Sequence, residues 1–258
     1  MALHLQFSSE GAVGVIELAR PEKYNAVSPE MAQGLLAAID AFEADRGIRA
    51  ILIRAQGRNF CTGADLVVMD SHESRAEGSR NASLFGIDLL GRFETSPLPI
   101  VAAIQGLCLA AGLEIMMACD IVFAAETARI GDQHARYGLF PGWGGTQRLP
   151  RLVGLRRGLD LLFTAKWLDT LTAREWGLVN YVTPDDRLWD EAMTYCTMFA
   201  KRNPEAIAGM KRLARSGLEG SLRDGLMAET DFIAEHVETA NVREGLRAFA
   251  ERREPRFR

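Results

Sequence analysis

The sequence predicts an α/β domain on three observations. Short apolar runs alternate with stretches of helical periodicity through the first half of the 258-residue chain. Those runs are apolar at nearly every position, the mark of strands buried on both faces, and strands separated by helices pair in parallel. Beyond residue 154 the composition turns helical and stays so.

In chain order, AVGVIEL (12–18) reads as a strand. Residues 28–45 read as a helix opened by Ser28, with Pro29 in its first turn. AILIRA (50–55), IVAAIQG (100–106) and DIVFAAE (120–126) read as buried strands, each followed by small residues or a turn. Residues 68–86, VMDSHESRAEGSRNASLFG, are polar and glycine-containing with weak periodicity, and are expected to form a loop or lid. Helical periods follow at 155–165, 172–179 and 187–202, and three more after Pro204 at 206–217, 221–237 and 240–253. The final helices are amphipathic and too thin for a core of their own, so they pack on the main domain or on another subunit.

With 48% hydrophobic and 25% charged residues, the chain can bury a substantial core. A net charge of −4 and a pI near 5.7 leave no basic footprint, so nucleic acid is not expected as a partner. No segment reaches the ~18 uninterrupted apolar residues of a membrane span, and the N-terminus lacks a signal-peptide pattern. A cytoplasmic protein is expected. Cys61, Cys108, Cys119 and Cys196 show no CxxC spacing, so neither a disulfide framework nor a metal site is indicated.

Three stretches can carry chemistry. In NFCTGADL (59–66), small residues just past a strand leave outward-pointing N–H groups that can bind an oxyanion; a plain tight turn would use the same residues. In GLCLAAGLE (106–114), Ala110, Ala111 and Gly112 open a helix whose unpaired N–H donors suit a carbonyl oxygen gaining charge. Glu114 projects from that first turn; it either favours the helix dipole or serves catalysis, and catalysis better explains an acid beside the apolar LEIMMAC. In ARIGDQHARYGLFPGWGG (128–145), His134 stands at the first bend among several glycines, where a structural histidine is also a common finding. No GxGxxG, P-loop or GxSxG occurs, which removes the usual signatures of dinucleotide binding, ATP hydrolysis and nucleophile-elbow hydrolysis.

The segments RPEKYNAVS, FCTGADL, GLCLAAGLEIMMACDI and GLFPGWGGTQRLPRLVG, in this order, resemble the enoyl-CoA hydratase/isomerase (crotonase) superfamily, and the match extends through REWGLVNYV into the C-terminal helices. The resemblance implies a crotonase-like spiral of ββα units, residues 1–200 forming an acyl-CoA-binding core and 201–258 a helical oligomerisation region. It implies a homo-oligomer, a trimer or dimer of trimers, acting on acyl-CoA without a separate cofactor, since coenzyme A is part of the substrate. The thioester oxygen would lie between the backbone N–H groups of Ala64 and Ala111; the family often has glycine where this chain has Ala111.

Two glutamates serve the family's hydratases. The first matches Glu114; the second falls on His134, a departure from the pattern. Hydration of a 2-enoyl-CoA needs one base and one acid, and a histidine can be either near neutrality. Isomerisation, decarboxylation and thioester hydrolysis use the same oxyanion stabilisation, and a non-catalytic acyl-CoA binder would keep the cradle alone. The resemblance further implies substrate contacts at Ala64, Asp65, Leu66 and Val67, at the loop from Lys23 to Ala26, at Ala111 and Trp143, and at Arg252 across a subunit boundary. Lys23 and Arg20 would meet phosphates as mobile charges.

Overall fold

A computed structural model describes residues 4–65 and 75–258. Among them, β1 (Leu5–Glu10), β2 (Val13–Leu18), β3 (Ala50–Ala55), β4 (Ile100–Ile104), β6 (Ile121–Ala125) and β9 (Tyr181–Thr183) lie side by side in that order as one sheet. Every pairing is parallel except β1 with β2. A second, smaller sheet joins β5 (Leu107–Leu109) in parallel to β7 (Arg129–Gly131), which pairs antiparallel with β8 (Leu168–Asp169).

The long apolar strands come out as read, because a strand covered on both faces needs apolar residues at odd and even positions alike. In β3, Ile51 and Ile53 join the core shared with α1 (Pro29–Ala44) and α2 (Arg75–Thr95), while Ala50 and Leu52 face α7 (Leu188–Phe199) on the opposite side. Ser28 caps α1, its hydroxyl accepting the Met31 N–H at 3.2 Å, and Pro29 occupies the first turn. The buried stripe Met31, Leu35, Ala38, Ile39, Phe42 has helical spacing.

Several expectations change. Residues 75–86 are not loop: they are the first half of the 21-residue helix α2, and residues 68–74 lie outside the described set. Periodicity is weak there because the apolar anchors Leu89, Leu90 and Phe93 all sit in the second half, while the first half is polar and borders a cavity. The region beyond 154 is not purely helical, since β8 and β9 lie in it; strands of two and three residues are too short for an alternation signal. β1, β5 and β7 escape the reading for the same shortness or, in β1, for a face largely open to solvent.

The C-terminal helices α8 (Pro204–Gly217), α9 (Leu222–His236) and α10 (Ala240–Ala250) contain no strand. Helix α8 is tied to the core by Lys211, whose ammonium donates to the Phe93 and Leu98 carbonyls at 2.8 and 3.0 Å and pairs with Asp120 at 2.7 Å. Leu218, Leu222, Leu226 and Ile233 are exposed, whereas Phe232 is half-buried against Gly209. All four cysteines are buried and free of disulfides.

Candidate active site

The site forms beyond the carboxyl ends of β3 and β4, the side of a parallel sheet on which crevices open. After β3 the chain reaches Cys61, which bridges Cys108 of β5. Helix α3 (Ala111–Ala118) starts so close to that bridge that a Cβ on Gly112 would lie 2.3 Å from the Cys61 carbonyl oxygen; only glycine allows the approach. The Ala64 and Ala111 backbones are thereby brought to one cavity of about 880 Å³.

Ala64 bridges Val27 in parallel. The Val27 N–H donates to Gly63 O at 2.8 Å and the Asp65 N–H donates to Val27 O at 2.9 Å, which leaves the Ala64 N–H turned away from that pairing. Ala111 is the first residue of α3, so its N–H falls outside the helical ladder. Neither donor meets a protein acceptor among the described residues. Two such N–H groups, one at the positive end of a helix, make a receptor for an oxyanion, each worth about 3–4 kcal/mol in a transition state.

All of α3 is buried, and Glu114 within it is 1% exposed. Its Oε1 accepts the Trp143 N–H at 2.9 Å and the Gly145 N–H at 2.8 Å, from the turn leading into α4 (Gly145–Val153). Oε2 has no protein donor among the described residues, and Glu114 lines the cavity. Burial raises the Glu114 pKa above the ordinary carboxylate value; the two N–H donors and nearby His134 offset this only in part, and Asp132 adds to the rise.

His134 follows β7 and also lines the cavity, so the structure brings it together with Glu114, Ala64 and Ala111. Its Nδ1 lies 2.9 Å from Asp132 Oδ2 and 3.1 Å from Oδ1. Burial pulls the His134 pKa down, but the Asp132 hydrogen bond and the charges of Asp132 and Glu114 outweigh it and hold the pKa above the usual value. Asp132 is the contact of His134 to which the sequence reading assigns no role; its D-x-H spacing at a strand exit is the available signal.

Trp143 borders the same cavity, with its indole against Gly86 of α2, where a Cβ would stand 2.1 Å from Trp143 Cδ1. Ser83 of α2 donates to the Gly142 carbonyl at 2.5 Å. The turn that clamps Glu114 is itself held by Arg148, which donates to the Trp143 carbonyl at 2.7 Å and to both Glu94 oxygens at 2.7 and 2.6 Å.

Other expected contacts fare differently. Arg20 is not a mobile charge: its guanidinium donates to Asp65 at 2.7 Å and to the Ala26 carbonyl at 3.3 Å. Asp65 lines the cavity with that partner in place. Lys23 is exposed on a short 3-10 turn and, like Ala26, is not part of the cavity wall. Arg252 is exposed beyond α10, and the cavity wall does not include it. Leu66 and Val67 lie outside the described residues. Cys61, though near the cradle, is no nucleophile, because burial pushes its thiol up to about 12.

Comparison with known proteins agrees with this geometry. The profile of the enoyl-CoA hydratase/isomerase family matches residues 8–258. A probable enoyl-CoA hydratase of Bacillus subtilis (strain 168) is 35% identical over 247 residues, covering 95% of each chain. The mitochondrial methylglutaconyl-CoA hydratase of Mus musculus is 34% identical over 260 residues, covering 99% of this chain and 82% of that one. The crystal structure of enoyl-CoA hydratase from Bacillus anthracis superposes with a TM-score of 0.93 at 30% identity and covers 98% of both chains. With its oxyanion cradle, its buried glutamate and a match along nearly its whole length, the chain belongs to the enoyl-CoA hydratase/isomerase family, the crotonase superfamily, which acts on acyl-CoA.

Proposed function

We propose that this protein hydrates 2-enoyl-CoA thioesters. The observation that carries the reading is the meeting, in one cavity, of two unpartnered backbone donors, Ala64 and Ala111, with two acid–base side chains, Glu114 and His134. The donors receive the thioester oxygen. Charge collects there when water adds to C3, and Glu114 and His134 divide the two proton transfers between water and C2. The hydratase names of the relatives at about a third identity support the same reading.

The CoA end runs past Asp65, with Lys23 and Ala26 nearby, and Arg252 of a neighbouring subunit meets the nucleotide. The exposed leucines of α9 and the Leu218 corner are covered in a trimer or dimer of trimers. Light scattering checks this; a monomer at micromolar concentration would refute the assembly.

A panel of CoA thioesters tests the reaction, read in parallel by loss of enoyl absorbance and by release of free thiol. Hydration removes absorbance with no thiol released. Thiol release from saturated and unsaturated thioesters alike would make the protein a hydrolase instead. Binding of a saturated acyl-CoA with no turnover of any member would make it a binder.

A further inference from the structure

The hydration just described gives Asp132 no part, yet its carboxylate is fully buried at the exit of β7. Burying a carboxylate is costly unless its oxygens are engaged. Both are turned onto one residue. Oδ1 accepts the His134 backbone N–H at 3.0 Å, closing an Asx turn, and Oδ2 lies 2.9 Å from His134 Nδ1. The turn needs a single acceptor oxygen, which an asparagine would also supply. The contact with the imidazole is the feature that calls for a carboxylate. His134 Nε2 has no protein partner among the described residues, and the side chain lines the cavity with only 14% of its surface exposed.

We propose that Asp132 is a positioning residue that holds His134 through Nδ1, leaves Nε2 as its working atom, and keeps it protonated as the acid of the site, with Glu114 as the base. The assignment rests on the hydratase reading and sharpens it. Glu114 removes a proton from water as the water oxygen bonds to C3; the C2=C3 electron pair becomes the C1=C2 bond of the enolate, and the carbonyl pair moves onto the thioester oxygen held by Ala64 and Ala111. The enolate then collapses as C2 takes the Nε2 proton. Neutral His134 keeps its Nδ1 proton toward Asp132, and solvent returns the proton from Glu114 to Nε2. One water has been added and both groups are reset.

The ionisable groups that act on His134 are Asp132, from its own turn, and Glu114, from α3. The remaining charges at the cavity are Asp65, engaged with Arg20, and Glu77 and Arg80 on α2. Tyr137, on the turn after His134, meets it through the backbone, donating its N–H to the His134 carbonyl at 3.0 Å.

Asp132→Asn keeps an acceptor for the turn and removes the charge, so it separates the two roles. Expected is a kcat lower by about 10- to 10³-fold with KM within about threefold, the scale of lost second-layer support for a catalytic group. The alkaline limb of the pH profile, where His134 loses its proton, moves to lower pH in the variant, and the acid limb set by Glu114 moves the same way by less, because Asp132 is only the smallest of the influences on Glu114. A merely structural Asp132 would lower the rate without moving the alkaline limb. Histidine-labelled NMR, with the signal assigned by loss in His134→Gln, gives a readout independent of turnover: a titration midpoint above about 6.5 in the wild type and a lower one in Asp132→Asn. Should that variant not fold, the wild-type midpoint decides, and a value at or below about 6.5 overturns the proposal. So does a variant with near-native kcat and an unmoved limb. If no 2-enoyl-CoA is hydrated by the wild type while the NMR midpoint still drops in the variant, the Asp132–His134 pair stands and the hydratase reading falls.

Discussion

The two sides of the cavity hold their acid–base groups by opposite means. On one side Glu114 sits in a wholly buried helix and is gripped by backbone N–H groups of Trp143 and Gly145. On the other His134 sits at a short strand exit beside the exposed Tyr137 and Phe140, and a single side chain, Asp132, orients its ring. A backbone grip survives side-chain change and depends on the path of the turn. A side-chain grip is removed by one substitution. The two groups therefore differ in where they are vulnerable, though both face the same substrate.

The largest effects come from the groups themselves. Glu114→Gln and His134→Ala are each expected to lower hydration by about 10²- to 10⁴-fold with little change in binding. The double variant loses much less than the product, since the two act as one unit. Stability separates them. Glutamine keeps an oxygen for both N–H donors and carries no charge to desolvate, so Glu114→Gln does not lower Tm at pH 7. The sign follows from the raised Glu114 pKa: the folded state holds that proton more tightly than the unfolded chain. Its contribution is full below the ordinary carboxylate pKa and is lost as pH rises through the raised one. The wild type thus falls behind Glu114→Gln in Tm as pH increases over that window; melting curves of both across acid to neutral pH check it. His134→Glu restores a carboxylate pair and recovers part of the rate if the turn accommodates its reach.

A smaller effect is expected one layer out, on the backbone side. Arg148→Met removes the donor to the Trp143 carbonyl and strands Glu94, which among the described residues keeps only Arg215 at 3.3 Å. The turn that aims two N–H groups at Glu114 loosens. Hydration should drop by about 10- to 10²-fold, the usual consequence of sub-ångström misplacement, with about 2 kcal/mol of stability lost. A variant that loses the stability and keeps the rate would show that the grip on Glu114 does not need Arg148.

These two sides also differ in how far they could be read from the sequence. The Glu114 side announces itself: small residues before an acid at a helix start, after an apolar strand, can be placed by local rules alone. His134 could be placed at the site only through the family resemblance, because a histidine two residues after an aspartate in a loop has no periodic signature. The Trp143 and Gly145 donors to Glu114 and the Arg148–Glu94 pair join segments 29 to 54 residues apart in sequence, and nothing local encodes such pairings; the Asp132 contact spans two residues, and its D-x-H spacing is the one local trace of it. Of the loop expected over 68–86, the part that the structure contradicts, residues 75–86, departs for a related reason: it is helical because Leu89, Leu90 and Phe93 anchor the far half of α2, and Gly86 seats Trp143. Neither cause is visible within a short window. Arg20 looked mobile because its partner, Asp65, is 45 residues away.

The smallest effect expected concerns the cradle itself. The sequence places alanine at position 111 where glycine is common in the family, but the backbone that asks for glycine belongs to its neighbour: Ala110 has φ 51° and ψ −117°, a conformation that glycine adopts freely and a Cβ makes strained. Such strain costs of order 1–3 kcal/mol and persists only where the surroundings impose it, here by the Ala110 N–H donating to Gly131 O at 3.1 Å and the tight start of α3. Ala110→Gly should relieve it. Against the gain stands the larger freedom of glycine in the unfolded chain, about 0.4–1 kcal/mol. The balance is a stabilisation of about 1 kcal/mol, or a Tm higher by about 2–4 °C for a chain of this size. The oxyanion donors are the backbone N–H groups of Ala64 and Ala111, which the substitution leaves in place, so kcat should stay within about threefold. A variant that gains stability but loses the rate by tenfold or more would show instead that the Ala110 methyl presses the cradle into its working shape, and that the strained residue on the Glu114 side is as much a part of the site as the side-chain grip on His134.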